Sequence, residues 1–284
     1  MHLTLKRALR VVHRVVGPML PPTLLARRYP GVPGRIHIDD QMLASDAADR
    51  VRHYVDDARS AMTNLEESLA ACGRRWADVG ACLDLPSGYG RVTRWLAQRL
   101  DPGAVTAADV DAQAVRFCAA EFGVRPLPVP RDVRALRLPQ SYDLVFTGSL
   151  LTHLPPEDGY RLLETLIGAL ASAGLLVFST QGSSCLRHLD VYGPCFAKAA
   201  DHYRDGLARD GVAYLDYPRH RDYGITLHRA ARLRAVLQDR FADGVELVRY
   251  AERGWDAHQD VWSLRRLPRG PLTSRPAGAP AALA

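Results

Sequence analysis

The stretch Ala81-Cys82-Leu83-Asp84-Leu85-Pro86-Ser87-Gly88-Tyr89-Gly90-Arg91 constrains this chain more than any other, because an apolar run ends in an acid and a tight glycine pair just before a helical pattern. Gly88 and Gly90 permit positive φ and let backbone approach a ligand more closely than a side chain would allow. Residues 91–100 carry apolar side chains at helical spacing, so the turn stands at the start of a helix. Strand, turn and helix start together suit a nucleoside-type ligand.

Three chemistries use such a turn. A P-loop needs a Gly-Lys-Ser/Thr ending, and no Gly-Lys pair occurs in the chain. A dinucleotide fingerprint, Gly-x-Gly-x-x-Gly/Ala, would need a small residue where Thr93 stands, which weakens an NAD reading. What remains is Asp-x-x-x-Gly-x-Gly from Asp84, with a second acid, Asp109, ending the next apolar run at 104–109. An acid about 20 residues past the glycines can accept both ribose hydroxyls of a nucleoside.

On these residues the chain resembles the class I S-adenosylmethionine (SAM) dependent methyltransferases, from about residue 36 to residue 267. Arg131-Asp132-Val133, the run 141–154 and the run 174–180 stand where that family has its adenine-side acid, its fourth strand with the loop after it, and its fifth strand. A narrower resemblance is to bacterial methyltransferases carrying Leu-Asp-Leu-Pro-Cys-Gly-His-Gly-Arg-Val and a late Trp-x-x-His-Gln-Asp-Val. Here these are residues 83–92, with Ser87 and Tyr89 as departures, and residues 255–261. Gln181 stands where a histidine is expected.

The resemblance implies an α/β, Rossmann-like, doubly wound fold. Its seven-stranded sheet is mostly parallel with an antiparallel last strand, preceded by N-terminal helices and elaborated by an insertion after the fifth strand. It implies S-adenosyl-L-methionine as cofactor, against Asp84, Pro86, Ser87, Gly88, Tyr89, Gly90, Arg91, Asp109, Val110, Asp132, Val133 and Thr147. Asp132 would reach the adenine amino group, or simply cap a turn. In an open α/β sheet ligands sit outside the carboxyl ends of the parallel strands, which collects these residues and His153 on one rim. The final hairpin turn, 252–259, would bring Trp255 and His258 back to it. A hydroxyl acceptor gains from a neutral imidazole base. His258 is the first candidate and His153 the second, each with a structural alternative.

At 284 residues one core can bury roughly three quarters of the unfolded surface, so a single elaborated domain needs no staple. Five cysteines without a Cys-x-x-Cys pair argue against a disulfide framework and a thiolate zinc site, and point to a reducing cytoplasm. No metal site is expected. The net charge of +6 belongs to the ends: ten of 37 basic residues lie in 1–30 and 261–284, which hold no acid, leaving 27 against 31 acids and a net of −4 between them.

Residues 2–16 fit a basic amphipathic helix that packs on its own domain or contacts an anionic membrane weakly. Residues 17–34, with five prolines, read as a linker, so that 1–34 stands apart from a catalytic domain at 35–267. Residues 46–72 carry a helical stripe including Tyr54, which faces either the cofactor or the core. Residues 181–224 show no sustained period but hold five of the 11 tyrosines, suiting either an acceptor-binding cap or a core of the insertion's own. A helix near 228–241 and strands near 245–250 and 260–267 follow, then a Pro/Ala/Gly-biased tail, 268–284, expected to be disordered. The loop after the fourth strand lacks the Asn/Asp-Pro-Pro-aromatic signature of many base amino-methylating enzymes, and no RNA-binding module accompanies the basic ends. A small-molecule or sugar hydroxyl is therefore the expected acceptor, ahead of RNA, and a non-catalytic SAM-binding protein is the alternative from another class.

Overall fold

The structure is a computed structural model that describes residues 20–43 and 45–268. The segment expected to be a linker is instead structured: β1 (Ala26–Arg28) pairs antiparallel with β2 (Arg35–His37). The prolines do not prevent this because Pro30 and Pro33 fall in the connection, where Gly31 and Gly34 take φ of 74° and 70°. Helix α1 (Ala48–Ala71) follows and buries Tyr54, Leu65 and Leu69. Residues 2–16 lie outside the described residues, as does the tail after Pro268.

The chain then alternates strand and helix: β3 (Cys82–Asp84), α2 (Thr93–Arg99), β4 (Val105–Asp109), α3 (Ala112–Phe122), β5 (Arg125–Pro128), β6 (Tyr142–Thr147), α4 (Pro156–Gly168) and β7 (Leu170–Thr180). Next comes the segment read as aperiodic. It contains 3-10 turns over Ser183–Tyr192, α5 (Pro194–Lys198), α6 (Ala200–Arg209), and a hairpin of β8 (Val212–Asp216) and β9 (Gly224–His228). Helix α7 (Ala230–Phe241) and a hairpin of β10 (Val245–Trp255) and β11 (Gln259–Arg266) complete the described chain.

Seven strands form one sheet in the order β10-β11-β7-β6-β3-β4-β5. The five from β5 to β7 run parallel, β11 is antiparallel to β7, and β10 is antiparallel to β11. Both faces are covered, which is why the strands read as unbroken apolar runs. Strand β6 sends Val145 to one core layer, with Leu163, Leu166 and Trp262, and Leu144 to the other, with Leu65, Leu96 and Phe117. The insertion buries a separate core around Cys185, Phe196, Tyr203, Leu207 and Ile225. Among the described residues no helix is long and apolar enough to cross a membrane.

Candidate cofactor and acceptor cleft

The turn after β3 is clamped to the end of β4. Ser87 N donates to the Ala108 carbonyl oxygen at 2.8 Å, and Gly88 N donates to Asp109 Oδ2, also at 2.8 Å. Asp109 Oδ1 accepts from Asp111 N at 2.8 Å, and Asp111 in turn caps α3 through Gln113 N. Burial raises the Asp109 pKa, and the backbone N–H groups of Asp111, Gly88 and Val110 oppose that push by favouring the charged form. Each carboxylate oxygen keeps a second lone pair for a ligand hydroxyl.

The two glycines serve different ends. A β-carbon on Gly88, at φ 50°, would meet nothing within 4 Å, so this backbone stands open to a ligand. On Gly90, at φ 83°, it would fall 2.6 Å from Phe122 Cε2 and 3.1 Å from Cys118 Sγ. Gly90 is thus required by packing of the turn on α3. Asp84 lies beneath, fully buried, accepting from Thr93 Oγ1 at 2.6 Å; burial lifts its pKa to about 7.

A cleft of about 1370 Å³ opens over these strand ends. A single drug-sized ligand occupies roughly 300–1,000 Å³, so the space suits a cofactor with an acceptor beside it. Of the residues expected at the cofactor, Asp84, Pro86, Ser87, Gly88, Tyr89, Arg91, Asp109, Val110, Asp132 and Val133 line it. Gly90 and Thr147 do not; Thr147 is fully buried at the end of β6. Tyr89 stacks on His37, with centroids 4.7 Å apart and planes at 8°. Arg91 pairs with Asp57 at 2.5 Å and lies over the Trp255 ring. Asp132 Oδ1 accepts from Arg134 N at 2.9 Å, capping a 3-10 turn as well as facing the cleft. Tyr54 belongs to the core: its hydroxyl donates to Asp40 Oδ2, and it packs with Val32, Ile36 and Leu43.

The candidate bases part company. His153 lines the cleft, with its Nδ1 3.0 Å from the Gly224 carbonyl oxygen. A carbonyl only accepts, so Nδ1 carries the proton and Nε2 keeps its lone pair. Burial lowers the His153 pKa, which keeps the ring neutral near pH 7. Its ring stacks with Tyr223 at 5.2 Å and Tyr217 at 5.8 Å. His258 lies outside the cleft lining. The Tyr192 hydroxyl accepts from Gln181 Nε2 at 2.6 Å and shares a hydrogen bond with His258 Nε2 at 2.5 Å, which turns this ring toward the insertion. Trp255 does reach the cleft, packed so closely on Gly148 that a β-carbon there would lie 2.6 Å from Trp255 Cη2.

Two elements of the site gave no sequence signal. Arg94 is fully buried and donates from Nε to the Gly90 carbonyl oxygen and from Nη1 to those of Pro33 and Arg35, fastening the N-terminal hairpin to the glycine turn. Ser149, at φ 60°, is held from both sides: its N–H donates to Ser179 Oγ at 2.7 Å and its hydroxyl accepts from Gln259 Nε2 at 3.0 Å.

Residues 82–174 match the sequence model of a family described as a methyltransferase domain. No curated protein matches the chain. Among solved structures, an S-adenosylmethionine-dependent methyltransferase from Clostridium acetobutylicum is 12% identical, covers 80% of this chain and 96% of its own, and superposes with a TM-score of 0.52. The fold is that of a Rossmann-like methyltransferase. Magnesium protoporphyrin IX methyltransferase from Synechocystis, with bound SAH, is also similar at 19% identity, with 78% of this chain and 89% of that chain covered and a TM-score of 0.49. So is the N-methyltransferase NodS from Bradyrhizobium japonicum in complex with S-adenosyl-L-homocysteine (SAH), at 16% identity, 80% and 92% coverage and a TM-score of 0.48. For a methyltransferase fold the implied cofactor is S-adenosyl-L-methionine, and the open backbone at Gly88 and the spare lone pairs of Asp109 fit it.

Proposed function

We propose that this protein is a SAM-dependent O-methyltransferase acting on a hydroxyl of a small molecule or sugar, with His153 as the base. SAM supplies a methyl group already activated by the positive charge of its sulfur, so alignment of the acceptor is the protein's main task. Gly88 and Asp109 would hold the nucleoside, and Val110, Asp132 and Val133 would border the adenine. His153 Nε2 takes the acceptor's proton as its oxygen receives the methyl group.

The observation that carries this reading is that His153 lines the same cleft as the glycine turn while its Nδ1–H is held by the Gly224 carbonyl, which leaves Nε2 as the nitrogen with a free lone pair. Calorimetry with SAH and with NAD tests the cofactor assignment; preference for NAD would end it. Labelled SAM offered to sugars, phenolics and bulk RNA, with products read by mass, tests the acceptor class, and SAH binding without turnover on any of them would favour a binding protein. We further propose a reducing cytoplasmic setting, which suits the five free cysteines. Weak contact of residues 2–16 with anionic membranes is tested by vesicle flotation at low and raised salt.

A further inference from the structure

The β8–β9 hairpin carries its connecting loop to the cleft, where His220, Arg221, Asp222 and Tyr223 join the lining. The loop is closed by Tyr217 N donating to the Tyr223 carbonyl oxygen at 2.9 Å. The hairpin is fixed to the loop after β6: Gly224 N donates to the His153 carbonyl oxygen and Thr226 N to that of Thr152. Tyr223 is 42% exposed although stacked on His153, so part of an aromatic surface adjoining the base faces the open cleft.

Four arginines line this cleft. Arg91 is paired with Asp57 and Arg134 with Asp158. Arg131 and Arg221 have no hydrogen-bond or ion-pair partner among the described residues. Burial and then the charge of Asp109 raise the pKa of the Tyr223 phenol, and the charge of Arg131 opposes them. Of the carboxylates lining the cleft, Asp158 is paired with Arg134, while Asp109, Asp111 and Asp132 accept from backbone N–H groups, which leaves Arg131 and Arg221 as the cleft's unpaired arginines among the described residues. Guanidinium forks match planar carboxylates and phosphates and are the usual means of recognising them.

We infer that the acceptor is an aromatic hydroxyl compound bearing an anionic group, its ring against Tyr223 and its carboxylate or phosphate held by Arg131 and Arg221. This rests on the methyltransferase reading above and specifies the substrate class of the same cleft. The ring and the anion together would turn the hydroxyl toward His153 Nε2, whereas a neutral phenol would lose one of its two anchors.

The test is calorimetry on the full chain saturated with SAH, using 4-hydroxybenzoate, 4-hydroxyphenyl phosphate and the neutral 4-hydroxybenzamide as probes. At least one anionic probe should bind about tenfold or more tightly than the amide, and which one does so separates carboxylate from phosphate recognition. The preference should vanish in the double variant Arg131→Gln, Arg221→Gln and survive in part in Arg221→Lys, with folding of each checked by thermal melting. Equal binding of all three probes, preference for the amide, no binding of any probe to the SAH-loaded protein, or an anion preference that persists in the double variant would overturn the proposal. Failure of the wild-type chain to bind SAH at all would instead overturn the methyltransferase reading on which it rests.

Discussion

Gly224 and Leu215 pass so closely across the β8–β9 hairpin that a β-carbon on Gly224 would stand 1.9 Å from the Leu215 carbonyl oxygen. The obstacle is backbone, which cannot rotate aside. Gly224→Ala therefore has to shift the hairpin, and His153 with it, since residue 224 bonds both the backbone and the ring of His153. A destabilisation of about 1–3 kcal/mol is expected from such overpacking. SAH affinity should hold, because Gly88 and Asp109 belong to other elements, while methyl transfer falls by at least about tenfold through misplacement of the base. Thermal melting, SAH calorimetry and turnover of the same sample check all three. Full turnover in a folded Gly224→Ala protein would separate the hairpin from catalysis.

Asp109 holds the glycine turn as well as facing the cleft, so its replacement should act in two places. Asp109→Ala removes the acceptor of both Gly88 N and Asp111 N, at about 1–3 kcal/mol of stability without ligand. It should also weaken SAH by roughly 2 kcal/mol through lost ribose hydrogen bonds. Asp109→Asn keeps one carbonyl oxygen and should do less on both counts. Melting without ligand and calorimetry with SAH distinguish the effects. Unchanged SAH affinity in a destabilised Asp109→Ala protein would leave Asp109 a purely structural brace.

His228 supplies a pH signature of folding. It is fully buried at the end of β9, and burial lowers its pKa from 6.5 to about 4. The unfolded chain thus binds a proton near pH 6.5 that the folded chain refuses until about pH 4, so this residue's contribution is complete above 6.5 and lost as pH falls toward 4. The loss is on the order of 3 kcal/mol over that window. Asp84 works oppositely. Its folded pKa of about 7 lies above the ordinary carboxylate value, so stability is lost as pH rises toward 7. The wild-type profile superposes the two, and the clean observable is the difference between wild type and His228→Leu. Denaturant unfolding at intervals from pH 4 to 7 should show that difference moving in favour of wild type as pH rises. A flat difference would mean that His228 reaches a proton donor or acceptor in solution.

The sheet was legible because strands buried on both faces leave continuous apolar runs and because the acid–glycine turn is a local signal. Asp109 was legible for the same reason, standing at the end of β4 one strand over. The insertion was not. Its helix α5 and strands β8 and β9 are five residues each, too short for a helical or alternating period to declare itself, and its order comes from a core shared among them. The β1–β2 hairpin was masked by prolines that sit in its turn. Gly88 and Gly90 look alike in sequence and are told apart only by Phe122 and Cys118, which α3 brings against one of them. Arg94 reads as the polar side of a helix, and only the N-terminal hairpin laid over it makes it a buried donor.

The two histidines give the most direct test of the mechanism, since the sequence favoured His258 and the cleft contains His153. With Nδ1 committed to Gly224 and its pKa held below 6.5, His153 should make transfer rise with pH through an acidic pKa and then level off. His153→Gln should cut the rate by about a hundredfold or more and abolish that acid limb, with SAH affinity retained. His258→Gln breaks the tie to Tyr192 and should loosen the insertion, lowering the melting temperature, while the acid limb persists and the rate changes by only a few-fold. Rate profiles of both variants from pH 5 to 8, on the acceptor found in the screen, decide between them. A lost acid limb in His258→Gln with an intact one in His153→Gln would reverse the assignment. It would then require the insertion to swing His258 away from Tyr192 and into the cleft before transfer.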